Sequence, residues 1–384
     1  MRTIGTVVRG VRAPIIREGD NIAEVAAASV MEAWKEAGIE PRDRDVVAVT
    51  ESVVARAQGN YATLDQIAKD VREKTGGGTV GVAFPILSRN RFSLLLRGMA
   101  MGCKKIVLLL SYPSDEVGNG LVDWDKLDEA GVDPYSDVLT LEQFREKFGA
   151  AVHPFTGVDY IDFYSGIITD AGAEVEVIFG NRVQTLCDYT DAVITCDIHT
   201  RVVLGLDDLL NRSVDGSGYN AEYGLLGSNK ATEETVKLFP RDCMAVAEEL
   251  GERLSKASGK HIEAMVYGDG AFKDPVGKIW ELADPVVSPG YTKGLVGTPN
   301  ELKLKYLADN DFGDLKGEAL KEAIEERIRE KTSESLVGNM VSEGTTPRRL
   351  TDLIGSLCDL TSGSGDKGTP IVYIQGYFDN YSND

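Results

Sequence analysis

Val80-Gly81-Val82-Ala83-Phe84-Pro85-Ile86-Leu87 and Lys105-Ile106-Val107-Leu108-Leu109-Leu110 are the runs that decide the fold. Each is short and almost continuously apolar, the pattern of a strand covered on both faces, as parallel sheets require. Between them, Ser88-Arg89-Asn90-Arg91 leads into an amphipathic helix that runs to Met101. Strand, helix and strand at this spacing predict a parallel βαβ unit.

Working outward, the same alternation continues on both sides. Asn21 to Ala37 holds Ile22, Val25, Ala26, Val30 and Trp34 at helical spacing, and Gly38 is a natural stop. Asp45 to Thr50 is a short apolar strand that runs directly into the polar segment Glu51–Asn60, and Leu64 to Lys74 is a further helix. Residues 117–180 are richer in loop signals and acids, and read as an inserted lobe. Downstream, strands are expected over Ala192–His199 and Glu263–Tyr267, and a helix over Glu233–Ser258 interrupted around Pro240. The chain closes with helices over Glu318–Lys331 and Leu350–Leu360, a Gly/Ser loop and the strand Ile371–Gln375. The expected class is α/β (mixed α+β), with an N-terminal region over residues 1–116, an insertion or lobe over 117–185 and a C-terminal region over 186–384.

Composition narrows the function. At 384 residues and 42% hydrophobic, the chain can bury a sizeable core. Lys+Arg 41 against Asp+Glu 61 leaves a net charge of −20, which repels phosphate backbones and anionic membranes. An anionic substrate must therefore be met by a metal ion or by a small set of Arg and Lys. The five cysteines (103, 187, 196, 243 and 358) lack CxxC spacing, which argues against a disulfide framework or a structural zinc site. No apolar run approaches the length of a membrane span, so a soluble cytoplasmic protein is expected.

Several segments could carry chemistry, each beside a plainer reading. Ser362-Gly363-Ser364-Gly365-Asp366-Lys367-Gly368-Thr369 is either a flexible connector or a loop whose N–H groups and Lys367 close on an anion. Asp269, between glycines at the end of an apolar run, is either a turn residue or a metal-binding carboxylate. Asp207, Asp208 and Asn211, with Asp215 and Asn220 beyond, form another acidic strand exit. Ser52 and Arg56 lie one helical turn apart and could hold a phosphate, and Arg89 and Arg91 repeat that logic after the next strand. Unless their positions say otherwise, these arginines are surface partners of the many acids. His199 reads as a hydrogen-bonded core or edge histidine, and His153 and His261 suggest no cluster. Nothing in the spacing supports nucleophilic hydrolysis.

In order along the chain, these segments resemble the coenzyme F(420)-0:L-glutamate ligase family. Ala13-Pro14-Ile15-Ile16 and the Glu51–Gly59 segment are similar to its entry loop and S-K-x-E-G-like motif. Ile194–His199 is similar to the strand before its Asp-x-Ser-Asn motif, Met265–Asp269 to its strand ending in Ser-Asp-Ser/Thr, and Leu350–Gly376 to its closing helix, loop and strand.

The resemblance implies a two-lobed ligase fold enlarged here by a middle insertion, a homodimer, and amide-bond formation with glutamate. It implies GTP as co-substrate, with ATP as the alternative, Mg or Mn ions, and a monovalent cation. Nucleotide contacts would fall to Ala13, Pro14, Ile15, Ile16, Glu51, Ser52, Arg56, Asn211 and the loop Ser362, Gly363, Ser364, Gly365, Asp366, Lys367, Gly368 and Thr369. Metal ligands would be Asp208, Asp269 and Ser364, with Asp215 and Asn220 as the alternative to Asp208 and Asn211. Gly270 stands where a Ser or Thr ligand is expected. Charge alone suggests Arg89 and Arg91 for the carboxylates of glutamate or the anionic acceptor. The competing expectations are a binding module without catalysis, a ligase for a folate or another carboxylate, and a phosphotransferase that stops at an acyl phosphate.

Overall fold

The computed structural model describes residues 2–89, 92–116, 118–153, 157–197, 200–213, 219–269, 286–332, 340–342, 349–362 and 366–382, with the backbone alone at Asp269 and Met340. In chain order its strands begin with β1 (Val7–Val11), β2 (Asp45–Thr50), β3 (Tyr61–Thr63), β4 (Thr79–Ala83), β5 (Lys105–Leu110), β6 (Leu139–Thr140) and β7 (Glu174–Phe179). They continue with β8 (Val193–Thr195), β9 (Leu204–Gly205), β10 (Asn229–Lys230), β11 (Thr235–Lys237), β12 (Ile262–Asp269), β13 (Val286–Tyr291) and β14 (Ile371–Gln375). The helices that position the site are α1 (Ile22–Ala37), α2 (Glu51–Ala57), α3 (Leu64–Thr75), α4 (Phe92–Met101), α5 (Trp124–Ala130), α6 (Leu141–Phe148), α7 (Tyr160–Asp170) and α8 (Cys243–Ser258). Helices over Gly317–Arg329 and Leu350–Thr361 follow.

Among the described residues the strands form three sheets, ordered β1-β14-β2-β12-β13, β10-β11-β3 and β6-β7-β5-β4-β8-β9. This is a mixed α/β fold. In the first sheet β2 and β12 are parallel, and β14 runs antiparallel to β2. Val46 and Ala48 of β2 join a cluster with Ile354 and Cys358 of the Leu350–Thr361 helix. Val47 and Val49 join another with Ala26 and Val30 of α1 and Leu250 and Leu254 of α8. Both faces are helix-covered, which is why β2 reads as an unbroken apolar run rather than an alternating one. Each valine so buried contributes roughly 2 kcal/mol of apolar burial.

Local signals fix the helices. The Asn21 side chain accepts the Glu24 N–H at 3.0 Å to start α1. Thr63 and Gln66 close a reciprocal capping box at the start of α3.

The predicted βαβ unit is present: β4 and β5 pair in parallel, with Val82 opposite Leu108. The sheet grows from it in both directions. β7 adds beyond β5, while β8 and β9 add on the other side of β4, all in parallel register. Strand order therefore reverses between β4 and β8, which makes a topological switch point at their carboxyl ends. Strands on both sides of residue 116 and of residue 185 share this sheet.

A local expectation changes at the start of α8. Residues 235–237, expected in a helix, are β11, which pairs with β3 so that Val236 lies opposite Ala62. Val236 is fully buried there, and α8 begins only at Cys243, after Asp242 adopts a left-handed φ of 51°. Residues 117–180, for all their loop signals, hold three helices and two strands among the described residues. Their start signals are local, a Thr140/Gln143 capping box for α6 and the Asp159 side chain accepting the Ile161 and Asp162 N–H groups for α7. Among the described residues no helix is long and apolar enough to cross a membrane.

Candidate active site

One row of residues crosses the five-stranded sheet: Val11 is opposite Ile371, Ile371 opposite Val49, and Val49 opposite Val266. The segments just beyond that row lie at the same end of the sheet. The chain after β1 is the Ala13–Ile16 loop, that after β2 is the start of α2, that at the end of β12 is Gly268-Asp269, and that before β14 is the 362–370 loop. Register thus gathers four segments spread between residues 13 and 370 of the chain.

Hydrogen bonds tie them together. The Ala13 N–H donates to the Gly368 carbonyl at 3.3 Å, and the Thr50 N–H to the Pro370 carbonyl at 3.0 Å. Arg56 Nε donates to the Ile16 carbonyl at 2.7 Å, so the guanidinium fastens the entry loop from α2. Ile16 is buried, whereas Ile15 is 80% exposed, an apolar side chain held in the open above the edge. Ser52 is half-buried, and Asp366, Lys367 and Gly368 are exposed. Gly368 has a left-handed φ of 62°, which favours glycine at this bend.

Beside this edge lies a groove of about 790 Å³ between β1, α1 and the closing loop, with Arg12 and Lys367 facing Glu32 and Glu36. Its wall includes Thr369, whose buried Oγ1 has no hydrogen-bond partner among the described residues.

The sequence profile of the F420-0:Gamma-glutamyl ligase family matches residues 10–376. The chain belongs to this family. No curated protein matches it. Membership points to γ-glutamyl ligase activity of the F420-0 ligase type.

At the centre of the edge, Glu51 is buried and receives Lys237 Nζ at 2.9 and 3.1 Å. Lys237 is the residue that sequence reading missed. It lies in β11, and its only local signal is the Thr-Val-Lys alternation that places Val236 inward. Glu51 also lies against Gly268: a Cβ built there would stand 2.1 Å from Glu51 Cγ, so only glycine lets the carboxylate approach β12. Burial, with Glu51 nearby, pushes the Cys243 thiol well up and leaves it inert.

Glu51, a carboxylate at this edge of the kind hard divalent cations favour, is already paired with Lys237. Gly268 leaves the space between strands to the Glu51 side chain, beside the strand end that carries Asp269. The side chain of Asp269 and residues Gly363, Ser364, Gly365 and Gly270 lie outside the described residues. Among the described residues no three His, Cys, Asp or Glu side chains gather as a ligand set.

Asp208 and Asn211 meet other partners. Asp208 Oδ2 accepts the Gly205 N–H at 2.9 Å and pairs with Arg201 at 3.2 Å. Lys74 Nζ reaches Asn211 Oδ1 at 3.3 Å, the Asp208 carbonyl at 2.5 Å and the fully buried Asp70 at 2.7 Å. Asn220 caps the 222–223 turn and donates to the Pro240 carbonyl at 2.6 Å, while Asp215, His199 and Arg91 lie outside the described residues.

Arg89 sits on the segment leaving β4, beside the switch point of the six-stranded sheet. That segment is pinned on both sides. Tyr164 Oη accepts the Ser88 N–H at 2.7 Å and donates to the Ile86 carbonyl at 3.0 Å, and Asp115 Oδ2 accepts the Leu87 N–H at 2.8 Å. Phe84 enters it with a left-handed φ of 53°.

Proposed function

We propose that the chain joins the amine of L-glutamate to a carboxylate acceptor through an acyl phosphate, with GTP as phosphoryl donor. The observation that carries this reading is the convergence on one sheet edge of three of the four regions that resemble the family's motifs, the fourth, Ile194–His199, belonging to the other large sheet. A carboxylate does not condense with an amine in water, because its leaving group is an oxide dianion. Attack of the acceptor carboxylate on the γ-phosphorus of GTP releases GDP and makes phosphate the leaving group. The glutamate amine then attacks the acyl carbon, loses its proton and expels inorganic phosphate.

In this reading the entry loop Ala13–Ile16, Ser52 and Arg56 hold the nucleotide, with Ile15 against the base and the 362–369 loop on the phosphates. Mg or Mn, held by Asp269 and Ser364, would neutralise phosphate oxygens when bound. Asp208 would join them by exchanging Arg201 for the ion. Glu51 and Lys237 fix the charge at the centre of the edge, so that α2 and β11 present a rigid wall. Arg89 and Arg91 take carboxylates of glutamate or the acceptor, and Arg89 follows β4 at a switch point, where α/β sheets collect ligands. The segment 76–185 is read as an insertion that adapts the acceptor site, so F420-0 and a folate are both candidates. The enzyme is read as a cytoplasmic homodimer.

Phosphate release from GTP or ATP, with Mg or Mn, tests this reading. A ligase releases phosphate only when glutamate and acceptor are both present. Formation of nucleoside diphosphate with acceptor alone, the phosphoryl group staying on the acceptor, would support a phosphotransferase, and nucleotide binding without turnover under any combination would support a binding module.

A further inference from the structure

The edge described above is not the only built cavity. β2 runs from Asp45 to Thr50, and at its amino-terminal end, on the order of 17 Å from the Glu51 end by strand rise, the 377–381 segment covers a second hollow. Its volume is about 420 Å³, within the range of small-molecule sites. We infer that this cavity binds an aromatic carboxylate, with Arg44 and Lys331 meeting the carboxylate and Tyr377, Phe378 and Tyr381 the ring.

Charge is the first argument. The chain carries −20, yet two cations line this cavity and neither forms an ion pair among the described residues. Arg44 donates to the Gly294 carbonyl at 3.2 Å and lies over the Phe378 ring at 3.7 Å. Lys331 donates to the Asn300 carbonyl, and burial pulls its pKa down despite the nearby Glu301. The other acid of the cavity, Asp379, is engaged by Arg2 at 3.0 Å and Arg42 at 3.1 Å. A partly desolvated ammonium is costly to keep charged, and a bound anion offsets that cost.

Backbone is the second argument. Arg44 has a left-handed φ of 65°, held by its N–H donating to the His261 carbonyl at 2.6 Å. A side chain there is strained, where glycine would be relaxed. The strain delivers a guanidinium to the cavity wall. Aromatic and aliphatic groups supply the third argument: Tyr377 and Phe378 stand edge to face at 5.3 Å, and Leu302 and Ile328 complete an apolar floor.

Titration of the full chain with benzoate, followed by calorimetry, tests the inference, with acetate and inorganic phosphate as comparison ligands. Saturable benzoate binding is expected, weakened about tenfold or more in Lys331→Met and in Arg44→Gly, as loss of a charge-assisted hydrogen bond predicts. Arg44→Gly also relieves the left-handed residue, so it folds whether or not the cavity binds anything. Benzoate binding should be unchanged in Glu51→Gln, which separates this cavity from the ligase edge. Absence of saturable binding, binding undiminished by both substitutions, or preference for phosphate over benzoate would overturn the inference.

Discussion

Lys237 Nζ lies 2.9 and 3.1 Å from the carboxylate oxygens of Glu51, joining β11 to the first turn of α2 across 186 residues of chain. Their side chains are only 12% and 7% exposed, so this is a buried pair rather than a surface one. Removing either partner takes a counter-charge away from a buried group. Lys237→Met is expected to cost about 3 kcal/mol in urea unfolding, with Glu51→Gln/Lys237→Met recovering most of that loss. A single substitution as mild as a surface pair's, near zero, would show that the charges are solvated.

Gly268→Ala tests the same centre from the other strand. The new methyl would overlap Glu51, since the Cβ position is 2.1 Å from its Cγ. We expect about 1–3 kcal/mol of destabilisation, largely absent when Glu51 is also alanine. Equal cost in both backgrounds would place the strain elsewhere.

How much of this was legible in the chain follows from range. β2, β5 and β14 were read within a residue or two of their bounds because each is a buried apolar run framed by polar residues. β11 was not, because a three-residue strand is defined by its partner β3, some 170 residues away, and its neighbours favour helix as readily. The edge residues were named from short motifs, but their meeting depends on the Val11–Ile371–Val49–Val266 register, which no single segment encodes. Asp208 and Asn211 looked available beside their apolar run. Lys74 and Arg201, which engage them, come from outside that run.

Acid stability should depend on the Arg145 clamp between α6 and α7. Arg145 meets Asp159 at 2.6 and 3.0 Å and Asp162 at 2.7 Å. Burial alone would raise the Asp159 pKa, but the guanidinium outweighs it and holds the carboxyl below the usual range. A depressed folded-state pKa gives stability that is present above the unfolded value and lost as pH falls through the folded one. Arg145→Met should therefore lower the urea midpoint at pH 7, and its deficit should shrink in strong acid. A deficit that is the same at both pH values would refute the charge-based account.

Thiol labelling checks the burial pattern. Cys187 is exposed, Cys103 is half-buried with its pKa pushed up to about 11, and Cys196, Cys243 and Cys358 are buried. A thiol-exchange dye at pH 8 should react quickly with Cys187 alone in the native chain, and with the rest on unfolding. Rapid native labelling of Cys243 would contradict the closed packing behind Glu51.

The central claim, that the converged edge performs γ-glutamyl ligation, is tested most directly by the mass of the acceptor after turnover. The purified chain would be incubated with F420-0 or a folate, L-glutamate, GTP and Mg or Mn, and the products read by mass spectrometry. The account predicts an acceptor heavier by one or more glutamyl units, formed only in the complete mixture and lost in Asp269→Asn. An acceptor of unchanged mass while GTP is consumed, or a product that forms equally well in Asp269→Asn, would contradict it.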